Sequence, residues 1–172
     1  RVLFRSSNGT SIAYGLGKFW MAGRESGIGL WYSTDLTTWV AVLNFTSIPI
    51  TKVEFAGGVV LAMQLGNPTR IFYSSNGTSW SESTLPTGFT FPDFLGAPFY
   101  ISVGFSQKTW HLAYQSYPTY KALISSNLLT WKDVSGSMPV ATTRFNQVSN
   151  NGPSLLRLTL DLSNLPIAQL SP

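Results

Sequence analysis

The groups in this sequence that could carry acid–base, nucleophilic or metal chemistry are few and dispersed. Its 172 residues hold seven carboxylates, one histidine and no cysteine. Without cysteine there can be no disulfide framework, thiolate metal site or catalytic thiol. The histidine, His111, stands in an alternating run beside Trp110. With no second histidine to build a metal centre, it reads as a packed or solvated residue. Three glutamates occur, Glu25, Glu54 and Glu82. Glu54 falls mid-strand and Glu82 follows a tryptophan, which leaves Glu25 alone in a loop suited to a site. One such acid is too little for the paired carboxylates of ordinary glycosidases. The sequence therefore offers no catalytic residue, no metal site and no cofactor.

The elements that would position any site come from a repeat. Tyr32-Ser33-Thr34-Asp35-Leu36-Thr37-Thr38-Trp39 returns as Tyr73-Ser74-Ser75-Asn76-Gly77-Thr78-Ser79-Trp80, and again as Ile124-Ser125-Ser126-Asn127-Leu128-Leu129-Thr130-Trp131. The spacings are 41 and 51 residues. Upstream, Ile12 to Gly17 lies 41 residues before Val53 to Gly58. A third copy runs from Val103-Gly104-Phe105 through Leu112 to Gln115, which matches Leu61 to Gln64. Within unit one, Ile12 to Gly15, Phe19 to Gly23, Gly29 to Ser33 and Thr38 to Val42 read as four strands broken by turn residues. Four antiparallel strands in about 41 residues match one propeller blade. The expected architecture is one all-β, propeller-like array of about four blades across 1–172. Residues 1–11 supply a closing strand and turn, 12–42 repeat 1, 43–83 repeat 2, 84–134 repeat 3 with an inserted loop, and 135–172 an incomplete repeat 4. Closure is suggested because residues 6–11 are identical to 74–79 and because Leu156 to Leu162 alternates as a half-buried strand.

The Ser-x-Asp/Asn-x-x-Thr/Ser-Trp segments resemble the Asp-box repeats of bacterial sialidases and related propellers, in a form one residue shorter. The resemblance covers residues 11 to 134 and implies a propeller; it says little about activity, since such boxes occur in enzymes, binding modules and virion appendages. Physically, the box acid or amide should accept backbone amides two residues on, with Gly77 free to take a positive φ. Ser33, Asp35, Ser74, Asn76, Ser125 and Asn127 are thus turn-stabilising, and Trp39, Trp80 and Trp131 should pack between blades.

In an up-and-down blade the boxes lie at one end, so the other end receives Arg24 to Gly27, Gly66 to Arg70, Ser116 to Lys121 and the long link Ser83 to Tyr100. Loops on a rigid scaffold are where binding residues gather. The candidate contacts are Tyr117, Tyr120, Lys121, Arg70, Arg24, Phe94 and Tyr100, an aromatic and basic set suited to a sugar ring or a protein partner. The phenylalanines of the link have a second possible role, folding back to cap exposed core. A sialidase-type site would need clustered arginines and a tyrosine nucleophile activated by glutamate; only Arg24, Arg70 and Arg144 could reach one face.

Charge and hydropathy narrow the class. The chain is 10% charged, 44% apolar and 14% aromatic with a net charge of +4. Its basic residues never form a run, which argues against a nucleic-acid groove, and no stretch reaches the length of an apolar membrane span. The start at Arg1 fits a processed product or an excised part of something longer. These features resemble domains of phage tail or other virion appendages. The expected role is a non-catalytic structural or receptor-binding module, virion-borne or extracellular. Its partners would be neighbouring virion or assembly subunits or a cell-surface glycan, and homo-oligomers are compatible with this. The competing readings are a secreted sialidase-type enzyme and an intracellular propeller-type assembly factor.

Overall fold

The computed structural model describes residues 9–23, 27–65, 68–91, 99–116 and 119–137. They form three four-stranded antiparallel sheets, each built from consecutive strands in chain order. Blade 1 holds β1 (Gly9–Gly15), β2 (Lys18–Gly23), β3 (Leu30–Ser33) and β4 (Val40–Ala41). Blade 2 holds β5 (Lys52–Ala56), β6 (Val59–Gln64), β7 (Arg70–Ser74) and β8 (Ser81–Glu82). Blade 3 holds β9 (Phe99–Ser106), β10 (Thr109–Ser116), β11 (Thr119–Ser125) and β12 (Lys132–Asp133). The first strand of each blade packs beside the first strand of the next, β1 on β5 and β5 on β9. The protein is an all-β, propeller-like array. Of the segment read as an incomplete fourth repeat, 135–172, only residues 135–137 are described; 138–172, together with residues 1–8, lie outside the described residues.

Two apolar seams join the blades. Between blades 1 and 2 lie Trp20, Ala22 and Leu30 on one side and Val53, Val60, Ala62 and Phe72 on the other, with Phe45 and Ile50 entering from the link. Between blades 2 and 3 lie Leu61, Met63, Ile71, Leu112, Tyr114 and Leu123. Strand β6 thus alternates between seams, Val60 and Ala62 toward blade 1 and Leu61 and Met63 toward blade 3. Burial on both faces explains its uninterrupted apolar sequence.

Three sequence expectations shift in register. Leu112 does not stand where Leu61 does. Both blades turn through two-residue loops, pairing Ala56 with Val59 and Ser106 with Thr109. Counting from those turns sets Leu112 level with Ala62, on the face toward the preceding blade, because a slip of one residue exchanges the faces of a strand. The fourth strand of blade 1 is Val40–Ala41 rather than Thr38 to Val42. The amides of Thr37 and Thr38 are bound by Asp35 and cannot join the ladder. Finally, Gly9 and Ser11, expected in a turn like that of Gly77 to Ser79, pair instead with Gly23 and Ala22 at the start of β1. The strand sequence Ile12-Ala13-Tyr14 follows them directly and draws them into its ladder.

Candidate binding face

The boxes form one end of every blade. Ser33 Oγ accepts the amides of Asp35 and Leu36 at 3.2 and 2.9 Å, and Asp35 Oδ1 accepts those of Thr37 and Thr38 at 2.8 and 2.7 Å. Ser74 and Asn76 bind the amides of Asn76, Gly77, Thr78 and Ser79 in the same way. So do Ser125 and Asn127 with Asn127, Leu128, Leu129 and Thr130. The residue after the acid or amide is left-handed in all three: Leu36 at φ 61°, Gly77 at 73° and Leu128 at 62°. Glycine is required only in blade 2, where a Cβ on Gly77 would meet the Trp20 ring at 2.7 Å. Trp80 lies in the first seam, 4.9 Å from Phe45 and 5.7 Å from Trp20 by ring centroids, and Trp131 is buried in the second. Each packs toward the preceding blade, and Trp39 of blade 1 is half-buried.

Of the sequence-predicted contacts, Arg70, Tyr100, Tyr120 and Lys121 are described and stand at the opposite end. Arg24, Phe94 and Tyr117 lie outside the described residues. Tyr100 and Tyr120 both pair with Gln115, one from β9 and one from β11, so the register brings them into a single cross-strand row at the loop end of blade 3. Lys121 follows, paired with Tyr114.

The two cations have structural partners. Arg70 forms a bidentate pair with Glu82, Nε to Oε1 at 2.7 Å and Nη2 to Oε2 at 2.6 Å, and lies over the Phe72 ring at 4.7 Å. The guanidinium hydrogen bond holds the Glu82 carboxyl below its ordinary range. Lys121 donates to the Thr90 carbonyl at 3.0 Å and stands 4.5 Å from the centre of Phe89. It thereby pins the link between blades 2 and 3. Phe89 and Phe91 of that link are 8% and 1% exposed and fill the seam, Phe91 packing 4.9 Å from Tyr114. Of the two roles open to these phenylalanines, both take the capping one.

A pocket of about 170 Å³ opens at this same end, lined by Gly23, Gly27, Ile28, Gly29, Ser47, Ile48 and Pro49. The link after blade 1 lies close along β3 there: Ser47 donates its amide to the Gly27 carbonyl at 2.5 Å and Gly29 donates to Phe45 at 3.0 Å. A Cβ on Gly29 would stand 1.9 Å from the Ile48 carbonyl oxygen, so only glycine permits this approach. The pocket wall is uncharged, with Ile28, Ile48 and Pro49 beside the three glycines and Ser47. Reasoning from reactive residues missed it; the spacing Gly23, Gly27, Gly29 was the available signal.

The carboxylates among the described residues have structural partners. Asp35 binds turn amides, Glu54 pairs with Lys52 at 2.9 Å, Glu82 pairs with Arg70, and Asp133 accepts the hydroxyl and amide of Ser135. His111 Nε2 lies 3.3 Å from Ser106 Oγ, a contact within one hairpin.

No protein-family model matches the sequence, and no curated protein matches it. Among solved structures it is similar to the GH32 β-fructofuranosidase BmSUC1 of Bombyx mori, at 12% identity and a TM-score of 0.42, over 74% of this chain and 34% of that one. It is also similar to the sucrose-6-phosphate hydrolase of Lactobacillus gasseri, at 14% identity and a TM-score of 0.38, over 73% and 32%. This chain spans about a third of the length of either enzyme. No residue role passes from them to this chain.

Proposed function

We propose that this chain is a non-catalytic binding module, a propeller-like component of a virion or similar extracellular appendage. It holds a receptor glycan or a neighbouring subunit at the end opposite the boxes. The observation that carries this reading is the use made of the carboxylates among the described residues: Asp35, Glu54, Glu82 and Asp133 each hold a turn or a strand in place rather than pointing as a pair into a cleft. Glycoside hydrolysis by either stereochemical course needs two acids flanking a sugar. The loop end instead holds the uncharged Gly23–Pro49 pocket in blade 1 and, in blade 3, has Tyr100 and Tyr120 in one cross-strand row. An uncharged pocket suits a polar neutral ligand, and a tyrosine row suits a sugar ring or a polar protein surface.

The test is a glycan-array and pull-down comparison of the parent with the Tyr117→Ala, Tyr120→Ala double variant. The double variant is expected to keep its unfolding midpoint and lose binding. Unchanged binding would move the contact to another surface. Measurable glycoside hydrolysis by the parent, sucrose included among the substrates, would overturn the non-catalytic reading.

A further inference from the structure

Blade 1 has one face buried and one face open. Trp20, Ala22 and Leu30 are buried against blade 2. On the opposite face, Ile12 pairs with Met21 and Tyr14 with Phe19, so the four side chains share one side of the sheet. Ile12 is 59% and Tyr14 60% exposed, while Phe19 and Met21 are half-buried. Their places in the fold are informative. The first hairpins of blades 1 and 2 turn alike, Gly15 pairing with Lys18 and Ala56 with Val59. Counted from those turns, Ile12, Tyr14, Phe19 and Met21 stand where Val53, Phe55, Val60 and Ala62 stand in blade 2. Val53, Val60 and Ala62 are fully buried against blade 1, with Phe55 packed beside them. In blade 3 the same four positions are Val103, Phe105, Trp110 and Leu112, and they face blade 2. The open face of blade 1 is therefore built as an interblade face, with large apolar side chains at every position that its counterparts bury.

We infer that this face is the closing seam of the ring, and that its occupant is a fourth blade made from residues 138–172 of the same chain. The length fits: these 35 residues equal the span from Phe99 to Asp133 that makes blade 3. The pattern fits as well, since Leu156, Leu158, Leu160 and Leu162 alternate with Arg157, Thr159 and Asp161, one apolar side against one polar side. Leucines at this spacing cover a sheet face as Val53, Val60 and Ala62 cover blade 1, and burying Ile12 and Tyr14 removes apolar surface from water. Closure would also leave no sheet face of blade 1 open to association with other copies.

The chain contains no cysteine, so engineered thiols would be the only ones present. In the full chain, Tyr14→Cys is combined in turn with Leu156→Cys, Arg157→Cys, Leu158→Cys, Thr159→Cys and Leu160→Cys, and the variants are oxidised. Disulfides are expected within single chains, with leucine positions favoured about tenfold over the intervening ones, because strand side chains alternate between faces. Links between chains, no links, or links without alternation would overturn the proposal. A second measurement does not disturb the leucines: thiol labelling of Ile12→Cys should run about tenfold slower than that of Leu43→Cys at every protein concentration, since a buried side chain reacts only through local opening. Equal rates would overturn it, and so would protection lost on dilution, which would mean that a second copy covers the face.

Discussion

The box turns and the loop-end links of these blades hold together by different means. In each box the serine and the acid or amide bond amides two or three residues further on, so the turn itself is local. The blade 3 box is also tied to the segment after blade 2, through Ser83 Oγ to the Leu128 carbonyl and Thr84 to Leu129 and Trp131. At the loop end the bonds are long-range, joining Lys121 to Thr90 across 31 residues and the Phe91 amide to Thr69 across 22. A local turn closes with little entropy loss and can recur with small substitutions. A long-range bond ties one particular link to one particular blade. The box end is consequently a repeated framework, and the loop end is where the blades differ: the second hairpin of blade 2 spans Gln64 to Arg70, while that of blade 3 closes between Ser116 and Thr119. Variation has gathered where it does not disturb strand pairing.

The strongest way to break this comparison is to damage the seam beneath a box. Trp80→Ala is expected to cost about 3 to 5 kcal/mol in urea denaturation, because truncating a large aromatic leaves a cavity that its neighbours only partly fill. Trp80→Phe should cost much less, about 1 kcal/mol, since the smaller ring keeps most of the packing against Phe45 and Trp20. If both substitutions proved equally mild, the seam would not depend on the box tryptophan.

A smaller pair of changes tests whether the two ends are independent. Asn76→Ala removes the acceptor of two turn amides and should cost about 1 kcal/mol. Lys121→Met keeps the aliphatic stem but drops the bond to Thr90, and should cost a similar amount, about 1 kcal/mol, while speeding proteolysis in the link before Phe91. The double variant should show the sum to within about 0.5 kcal/mol, as distant sites without shared partners do. A larger coupling would mean that the ends communicate through the blade.

The same division explains what the sequence could tell. Box turns were legible because Ser33, Asp35 and their counterparts act on their own neighbours, so residue type and spacing contain those bonds, though not the ones from Ser83 and Thr84 to the blade 3 box. Strand order was legible because period-two patterns and turn residues recur. The uses of Arg70 and Lys121 were not legible: both stand at equivalent places beside aromatic residues and look free until Glu82 and Thr90 are brought against them. Nor was the Gly23–Pro49 pocket, which is brought together by a link 20 residues downstream. The identity of residues 6–11 with 74–79 misled for a related reason: Gly9 and Ser11 are held by a strand partner that the motif itself does not contain.

The smallest expected effect concerns one atom of one box. Blades 2 and 3 use asparagine where blade 1 uses Asp35, yet the side-chain oxygen accepts the same two amides in each. Asp35→Asn should therefore leave stability at neutral pH unchanged within error, and the difference should appear only in acid. The amides of Thr38 and Thr37 hold the Asp35 carboxyl far below its usual range, against an unfolded chain in which it titrates near 3.8. A group whose folded pKa is lowered stabilises fully above its unfolded value and loses that contribution as pH falls through the folded one. The parent should weaken below about pH 4 more steeply than Asp35→Asn, and the two curves should coincide above about pH 5. Glu82 and Asp133 are also held low, by the hydrogen bonds from Arg70 and Ser135, and weaken both proteins alike. Subtracting one denaturation series from the other thus isolates Asp35. Identical acid responses would mean that its bonds to the turn contribute nothing beyond what a neutral acceptor supplies at any pH.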